Sequence, residues 1–424
     1  MAGAMSLAQP SLADLPVASP ALSGRVRHLL EAARAAFVAE GFDGVSIDAI
    51  ALSAGVSKET IYRHFPDKPA LFRAALEDMG GRFWQRTVGL QVQGDGGLEG
   101  MARAILDSAI EGGLLSPLWL AAGLAGRMPE FARDLQHGQW RRLEPLREAL
   151  ERHARGSGLT TPVPIALALD FGSLAVEGAA LLLGFPPPAG ALRDAVAGRV
   201  AALFEGGLPA LTATGAIPDR PDESAAPPAD WPPHLRRVLD VAAAQFLACG
   251  YEATTLAEVR TTAQVGRGTL YRHFASKDGL YRAVLRDRAA AVIGAAVVPA
   301  LSPEADEARL AAFLAAAAEN LASPLSLELQ RSAISASRRE PALAREIHDS
   351  LRRPWLEPLA DWIAATTGLP DARWLARQAL VLALQGNRLF AAARPLAPGE
   401  AQRQARTAAA ILLGGYLKAL AAAR

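Results

Sequence analysis

A chain of 424 residues is longer than one hydrophobic core ordinarily serves, so several domains are expected. With 51% hydrophobic and 21% charged residues the composition is that of a folding chain, and the single cysteine, Cys249, excludes an internal disulfide and a cysteine-built zinc site and suits a reducing compartment. The net charge of +1 means that any basic binding surface must be local.

Residues 1–24 carry no basic residue ahead of an apolar stretch and are expected to be a mobile tail, not a signal peptide. From there the chain reads as helical almost throughout: Ala, Leu, Arg and Glu dominate and no sustained two-residue alternation occurs. The first helix is expected over Val26–Glu40, with Leu29, Leu30, Ala33, Phe37 and Val38 on one face and Gly41 ending it. Ser46 caps a second helix that runs through Ile47 and Ile50 to Gly55, a third runs from Ser57 to about His64, and a fourth opens at Asp67.

The pattern then recurs. Tyr62-Arg63-His64-Phe65 returns 209 positions later as Tyr271-Arg272-His273-Phe274, and Leu29–Leu76 aligns with Val238–Leu285 without a gap at 18 identities. In the second copy Thr255 and Glu258 form a capping box. Between the copies, Pro218, Pro221, Pro227, Pro228, Pro232 and Pro233 favour an extended, semi-rigid spacer. A weaker repeat, with drifting offset, continues behind each copy: Leu143-Glu144-Pro145-Leu146 returns as Leu356-Glu357-Pro358-Leu359. The expected division is 1–24 tail, 25–84 first copy of the repeat, 85–211 the helical region behind it, 212–233 linker, 234–288 second copy, and 289–424 the helical region behind that.

Two short helices joined by a tight turn over a third form a helix-turn-helix, whose second helix must be slim and polar at its start to enter a major groove. Val56-Ser57-Lys58-Glu59-Thr60-Ile61-Tyr62 and Val265-Gly266-Arg267-Gly268-Thr269-Leu270-Tyr271 both fit; the alternative is a helical hairpin without a ligand. Of only four lysines, three (Lys58, Lys68 and Lys277) fall in these copies. Lys68 and Lys277 occupy matching positions in the first turn of the fourth helix, where free amides favour a phosphate; a solvated surface lysine is the competing reading.

These two stretches, continued through His-Phe-x-x-Lys-x-x-Leu, closely resemble the TetR/AcrR signature, so an all-α fold of two tandem TetR-like units is expected. The resemblance covers about 48 residues per half. It implies a bacterial DNA-binding transcription regulator of the cytoplasm, associated with the nucleoid. Its partners would be double-stranded DNA and a small-molecule effector of unknown identity, with no cofactor, metal or membrane. By position it places Ser57, Lys58, Glu59, Thr60, Tyr62 and Arg63 on DNA, as it does Arg260, Arg267, Gly268, Thr269, Tyr271 and Arg272. His64, Lys68, His273, Lys277, Ser46 and Thr255 would touch the phosphate backbone. Tyr62 has a packing role as its alternative, and Phe65 and Phe274 read as core.

Two positions depart from the family: Gln264 stands where glycine is usual at the turn, and Glu59 places a carboxylate in the reading helix. Glu59 either accepts from a cytosine amino group or merely favours the helix start. Net charge is +1 over residues 25–86 and +4 over 234–288, so the second reader is expected to bind DNA more strongly.

In each sensor half the last helices, Pro164–Leu183 with Ala191–Leu208 and Ala372–Ala393 with Glu400–Ala422, are apolar on most faces and must be buried. The resemblance implies that such pairs form a four-helix dimer bundle, here within one chain as a pseudo-dimer, or between two chains as a homodimer. A pseudo-dimer would present two different reading helices about one DNA turn apart, roughly 34–36 Å. Trp119, Trp140, Phe171, Trp355, Trp362 and Phe390 either line an apolar effector pocket or are plain core. No Gly-rich phosphate loop after a strand, His-Glu-x-x-His or nucleophile elbow occurs, so an enzyme is not expected. The expected function is a repressor released by a small apolar ligand. The alternative is a ligand- or partner-sensing homodimer in which only the second helix-turn-helix is active.

Overall fold

The computed structural model describes residues 24–76, 78, 96–111, 115–124, 129–222, 231–384 and 396–422. Every regular element among them is helical. The expected tail up to residue 23, Pro227 and Pro228 of the linker, and Phe390 lie outside the described residues, as does the side chain of Trp140. The chain forms two compact units, residues 1–75 and 76–424.

In the first unit, α1 (Gly24–Gly44) leaves helical geometry at Gly41, whose φ of 74° is cheap only for glycine. α2 (Ile47–Ala54) starts at Ser46, whose hydroxyl accepts from the Ala49 amide at 3.1 Å, and ends on Gly55 at φ 62°. α3 (Lys58–His64) is capped by Ser57, which accepts from the Thr60 amide at 3.2 Å. α4, helical over 68–76, is opened by Asp67 accepting from the Ala70 amide at 2.8 Å. Leu29, Leu30, Ala33, Ile50, Ile61 and Leu71 are buried around three rings: Phe72 meets Phe37 edge-on at 4.8 Å and Phe42 at 5.1 Å.

The second unit holds the first half's α5 (Gly97–Ile110), α6 (Leu115–Leu124), α7 (Pro129–Gly156), α8 (Ile165–Ala175) and α9 (Ala191–Gly206). The second half follows as α10 (Pro233–Ala253), α11 (Leu256–Ala263), α12 (Arg267–Phe274), α13 (Lys277–Gly294), α14 (Glu307–Leu321), α15 (Pro324–Ala336), α16 (Pro341–Thr367), α17 (Ala372–Leu384) and α18 (Glu400–Ala422). Among the described residues no single helix is long and apolar enough to cross a membrane; α14 and α15 pass that test only as a pair bent by 67°.

One expected helix is broken. The run Pro164–Leu183 stops at Ala175, because Glu177 (φ 50°) and Gly178 (φ 60°) are left-handed, and it resumes as a 3-10 turn over Ala180–Leu183. The break frees the Leu182 carbonyl to accept from Ser337 of the second half.

Within this unit α9 packs along α18, α8 against α17, and α6 against α15. Phe204 stacks on Tyr416 at 4.9 Å and meets Phe171 at 5.0 Å, so these rings join the halves. Backbones cross where α9 ends: a Cβ on Gly207 (φ 71°) would lie 2.6 Å from both the Gly414 nitrogen and the Leu412 oxygen. A Cβ on Gly415 (φ 78°) would overlap the Glu205 carbonyl. Gly206-Gly207 and Gly414-Gly415 are 208 positions apart, so matching glycine pairs meet each other.

Residues 212–222 form a seam on the second half and do not run as an extended spacer. Ile217 is buried and donates its amide to Asp371 at 3.1 Å, while Asp371 also receives the Arg199 guanidinium at 2.6 and 2.8 Å. Arg377 reaches Asp219 at 2.7 Å and Asp222 at 3.2 Å. The Arg199–Asp371 pair is buried on both sides and Arg377 on its own, so removing a carboxylate from either would leave a buried guanidinium without it. Asp170 on α8 is less well served: Gln404 donates to one oxygen at 3.1 Å, and the other has no hydrogen-bond partner among the described residues. Burial pushes its carboxyl up to about 8. The matching position in the second half is Gln378, wholly buried with neither amide atom partnered among the described residues.

Candidate nucleic-acid interface

Each reading helix is held by the same local devices. α2 and α11 both start on a hydroxyl N-cap, and Thr255 completes its capping box with Glu258. The turns then need a left-handed residue. Gly55 supplies it in the first copy; Gln264 does so in the second at φ 56°, a strained conformation for a side chain that reaches Arg237 at 3.1 Å. The second copy carries a further strain at Ala275 (φ 58°), where the first has Pro66, and the Phe274 carbonyl then crowds Gly279 so closely that no Cβ fits.

The structure places the expected site residues as follows. Ser46, Ser57, Lys58, Glu59, Tyr62, Arg63 and His64 are exposed on one unit, and Thr255, Arg260, Arg267, Gly268, Tyr271, Arg272 and His273 on the other; Thr60 and Thr269 are half-buried. Tyr62 and Tyr271 are 49% and 42% exposed, a surface position that packing alone does not explain. Phe274 is core, whereas Phe65 is half-buried. The lysines of the fourth helices rest on rings: Lys68 Nζ lies 4.6 Å over Phe42, and Lys277 Nζ lies 4.3 Å over Tyr251 and donates to the Glu252 carbonyl at 3.2 Å. Burial holds the Lys277 ammonium below its ordinary value.

The readers differ in electrostatics. Lys58 forms a 2.6 Å ion pair with Asp48 in the first turn of α2, which raises its pKa, and Glu59 is held below the usual carboxylate range by the Ser57 hydroxyl. The second copy has Ala257 and Gly268 at those places, and Arg267 lies 5.4 Å over its own Tyr271 ring. Asp48 escaped the sequence reading, although the unlike pair Asp48/Ala257 inside a matched helix start signals it. His234, whose ring is 6.3 Å from that of His273, and Trp231, 5.5 Å from Phe274, also belong to this face and have no matching residue type in the first copy.

Among the aromatics expected near an effector, Phe171, Trp355 and Trp362 are buried, with Trp355 Nε1 donating to Asn320 at 3.2 Å. Trp119 is half-buried and donates to Ser337 at 3.2 Å. A shallow recess lies between α14, α17 and α18, lined by Ala318, Ala322, Ala383, Leu384, Glu400 and Gln404 among others, and none of the four described rings lines it.

Paired helix-turn-helix units with exposed Tyr, Arg and Lys on slim second helices define a DNA-binding transcription regulator. Residues 29–75 and 238–284 each match the family of bacterial regulatory proteins of the TetR type, and residues 308–418 match the C-terminal domain of AefR-like transcriptional repressors. The chain belongs to the TetR family, as a tandem of two such units. It is similar to a TetR-family transcriptional regulator from Mesorhizobium loti of known structure, at 26% identity over 42% of this chain and 93% of that one, with a TM-score of 0.37. No curated protein matches it.

Proposed function

We propose that the chain is a repressor acting as a single-chain pseudo-dimer, with both reading helices on one operator and release by a small, mostly apolar effector. The observation that carries this reading is the pairing of α8 and α9 with α17 and α18 inside one chain, sealed by the glycine crossing and the linker seam. In a homodimer that surface would be supplied by a second copy; here the chain occupies it itself. The likeness of residues 308–418 to a repressor's C-terminal domain supports repression and points to the second half as effector sensor.

Because the two reading helices differ, the operator should hold two dissimilar half-sites. Light scattering of the free protein and of its complex with a fragment enriched from the host genome should give one chain in both. Two chains on a palindrome overturn the pseudo-dimer and leave DNA binding standing. The Asp48–Lys58 pair favours a second reading, in which only Arg267 and its neighbours grip bases. Binding selection returning one half-site instead of two would establish it.

A further inference from the structure

The short connection between α15 and α16, residues 337–340, touches three parts of the second unit at once. On the side of the first half, the Ser337 hydroxyl accepts from the Trp119 indole at 3.2 Å, and its oxygen lies within donating distance of two carbonyls, that of Leu182 at 2.8 Å and that of Ile334 at 2.7 Å. The Arg338 guanidinium lies 4.9 Å over the Trp119 ring. Gly184 presses on the same place: a Cβ there would lie 3.1 Å from that of Pro341, and its carbonyl accepts from Arg345 at 2.9 Å.

On the side of the second reader, Arg339 stacks 3.6 Å over Tyr251 and pairs with Glu252 at 3.4 Å and Asp278 at 3.7 Å. Tyr251 donates to Asp278, and Lys277 rests over the same ring. Glu340 pairs with Arg282 of α13, and Tyr281 donates to the Ser332 carbonyl at 3.1 Å. Burial pushes the Tyr281 hydroxyl up to about 12, so it stays a donor at neutral pH. The path from Trp119 to Lys277 therefore runs through contiguous hydrogen bonds, ion pairs and stacked groups.

We propose that residues 337–340 are a coupling element through which the first half's sensor helices hold the second helix-turn-helix in place, with Arg339 as the positioning residue for Lys277. The proposal rests on the reading of Lys277 as a phosphate contact only for its effect on DNA; the mechanical link does not depend on it.

Two measurements on the full chain test it. Trp119→Phe keeps a ring and removes the indole donor. Hydrogen exchange of the free protein should then quicken about fivefold in residues 276–282, the effect of one lost neutral hydrogen bond. Ser337→Ala should do the same, which guards against a folding defect peculiar to one variant. Faster exchange confined to residues 115–124 and 334–340 overturns the link.

The second measurement is a double-mutant cycle in DNA binding. Arg339→Ala should lower the salt slope by about one unit, as Lys277→Ala does, without changing base preference. The double variant should lose no more than either single one. Additive losses would mean that Arg339 meets phosphate itself and does not act through Lys277. If the unmodified chain binds no DNA fragment, the reading of Lys277 fails, while the exchange result still decides the coupling.

Discussion

The two reading units share a plan and differ in how they are wired. In the first, Phe37, Phe42 and Phe72 form an edge-to-face triad without a polar atom. In the second, Phe246, Tyr251 and Tyr281 repeat the triad at nearly the same spacings, 5.0 Å and 5.1 Å. Two hydroxyls are added, one to Asp278 and one to the backbone of α15. The first copy instead spends charge on itself through Asp48 and Lys58. Duplication thus preserved the apolar frame, which specifies the fold, and let the polar additions diverge, which specify partners. A hydroxyl on a packed ring changes what a domain is attached to without changing how it packs.

The halves also differ at one buried position, Asp170 against Gln378, and the largest expected effect lies there. A carboxyl raised to about 8 in the folded state, against about 4 unfolded, binds its proton more tightly when folded. Its contribution is therefore fully present below pH 4, declines as pH rises from about 4 to about 8, and is constant above. The free energy of unfolding should fall across that window by an amount on the order of a few kcal/mol, read from denaturant titrations at a series of pH values. Asp170→Asn, which makes the first half resemble the second, should flatten the profile. An unchanged pH dependence in that variant would show that another group titrates.

The next effect separates the readers directly. Arg267→Ala should cost ~1–3 kcal/mol of discrimination at one base pair, because no acid neighbours Arg267 on its helix. Lys58→Ala should cost less, since Lys58 already gives part of its hydrogen-bonding capacity to Asp48. Equal losses in a binding-selection experiment would remove the asymmetry between the units.

The smallest effect concerns the turns. Gln264→Gly should stabilise the second unit by up to about 1 kcal/mol by relieving a left-handed side chain, and Gly55→Gln should destabilise the first by a similar amount. Thermal unfolding of the two variants measures both; the same sign in both would break the parallel.

Much of this fold is legible because its signals are local. Ser46 and Thr255 announce helix starts by capping the amide three residues on, and Gly41 and Gly250 mark the two bends at the ends of α1 and α10. The break at Glu177 is not legible, because a glutamate in the left-handed region runs against its own preference and is imposed by what surrounds it. Nor is the linker seam: Asp219 and Arg377 are 158 positions apart, and six prolines suggest a spacer more strongly than two aspartates suggest a clamp. In the site, the reading helices and their lysines stand out as motif positions. Asp48 and the residues of the 337–340 turn act through contacts that no motif spacing encodes.

The glycine crossing has a genetic consequence. In a dimer of identical subunits, a mutation at the two-fold axis appears twice, facing itself, so a tolerable change on one side must also be tolerable on the other. Here Gly207 faces the Leu412–Gly414 backbone and Gly415 faces the Glu205–Gly206 backbone, so each side of the crossing has its own codons. A bulkier residue on one side can be compensated by a different change on the other. A fused regulator can therefore explore asymmetric solutions where its halves cross that no homodimer can reach in a single mutational step.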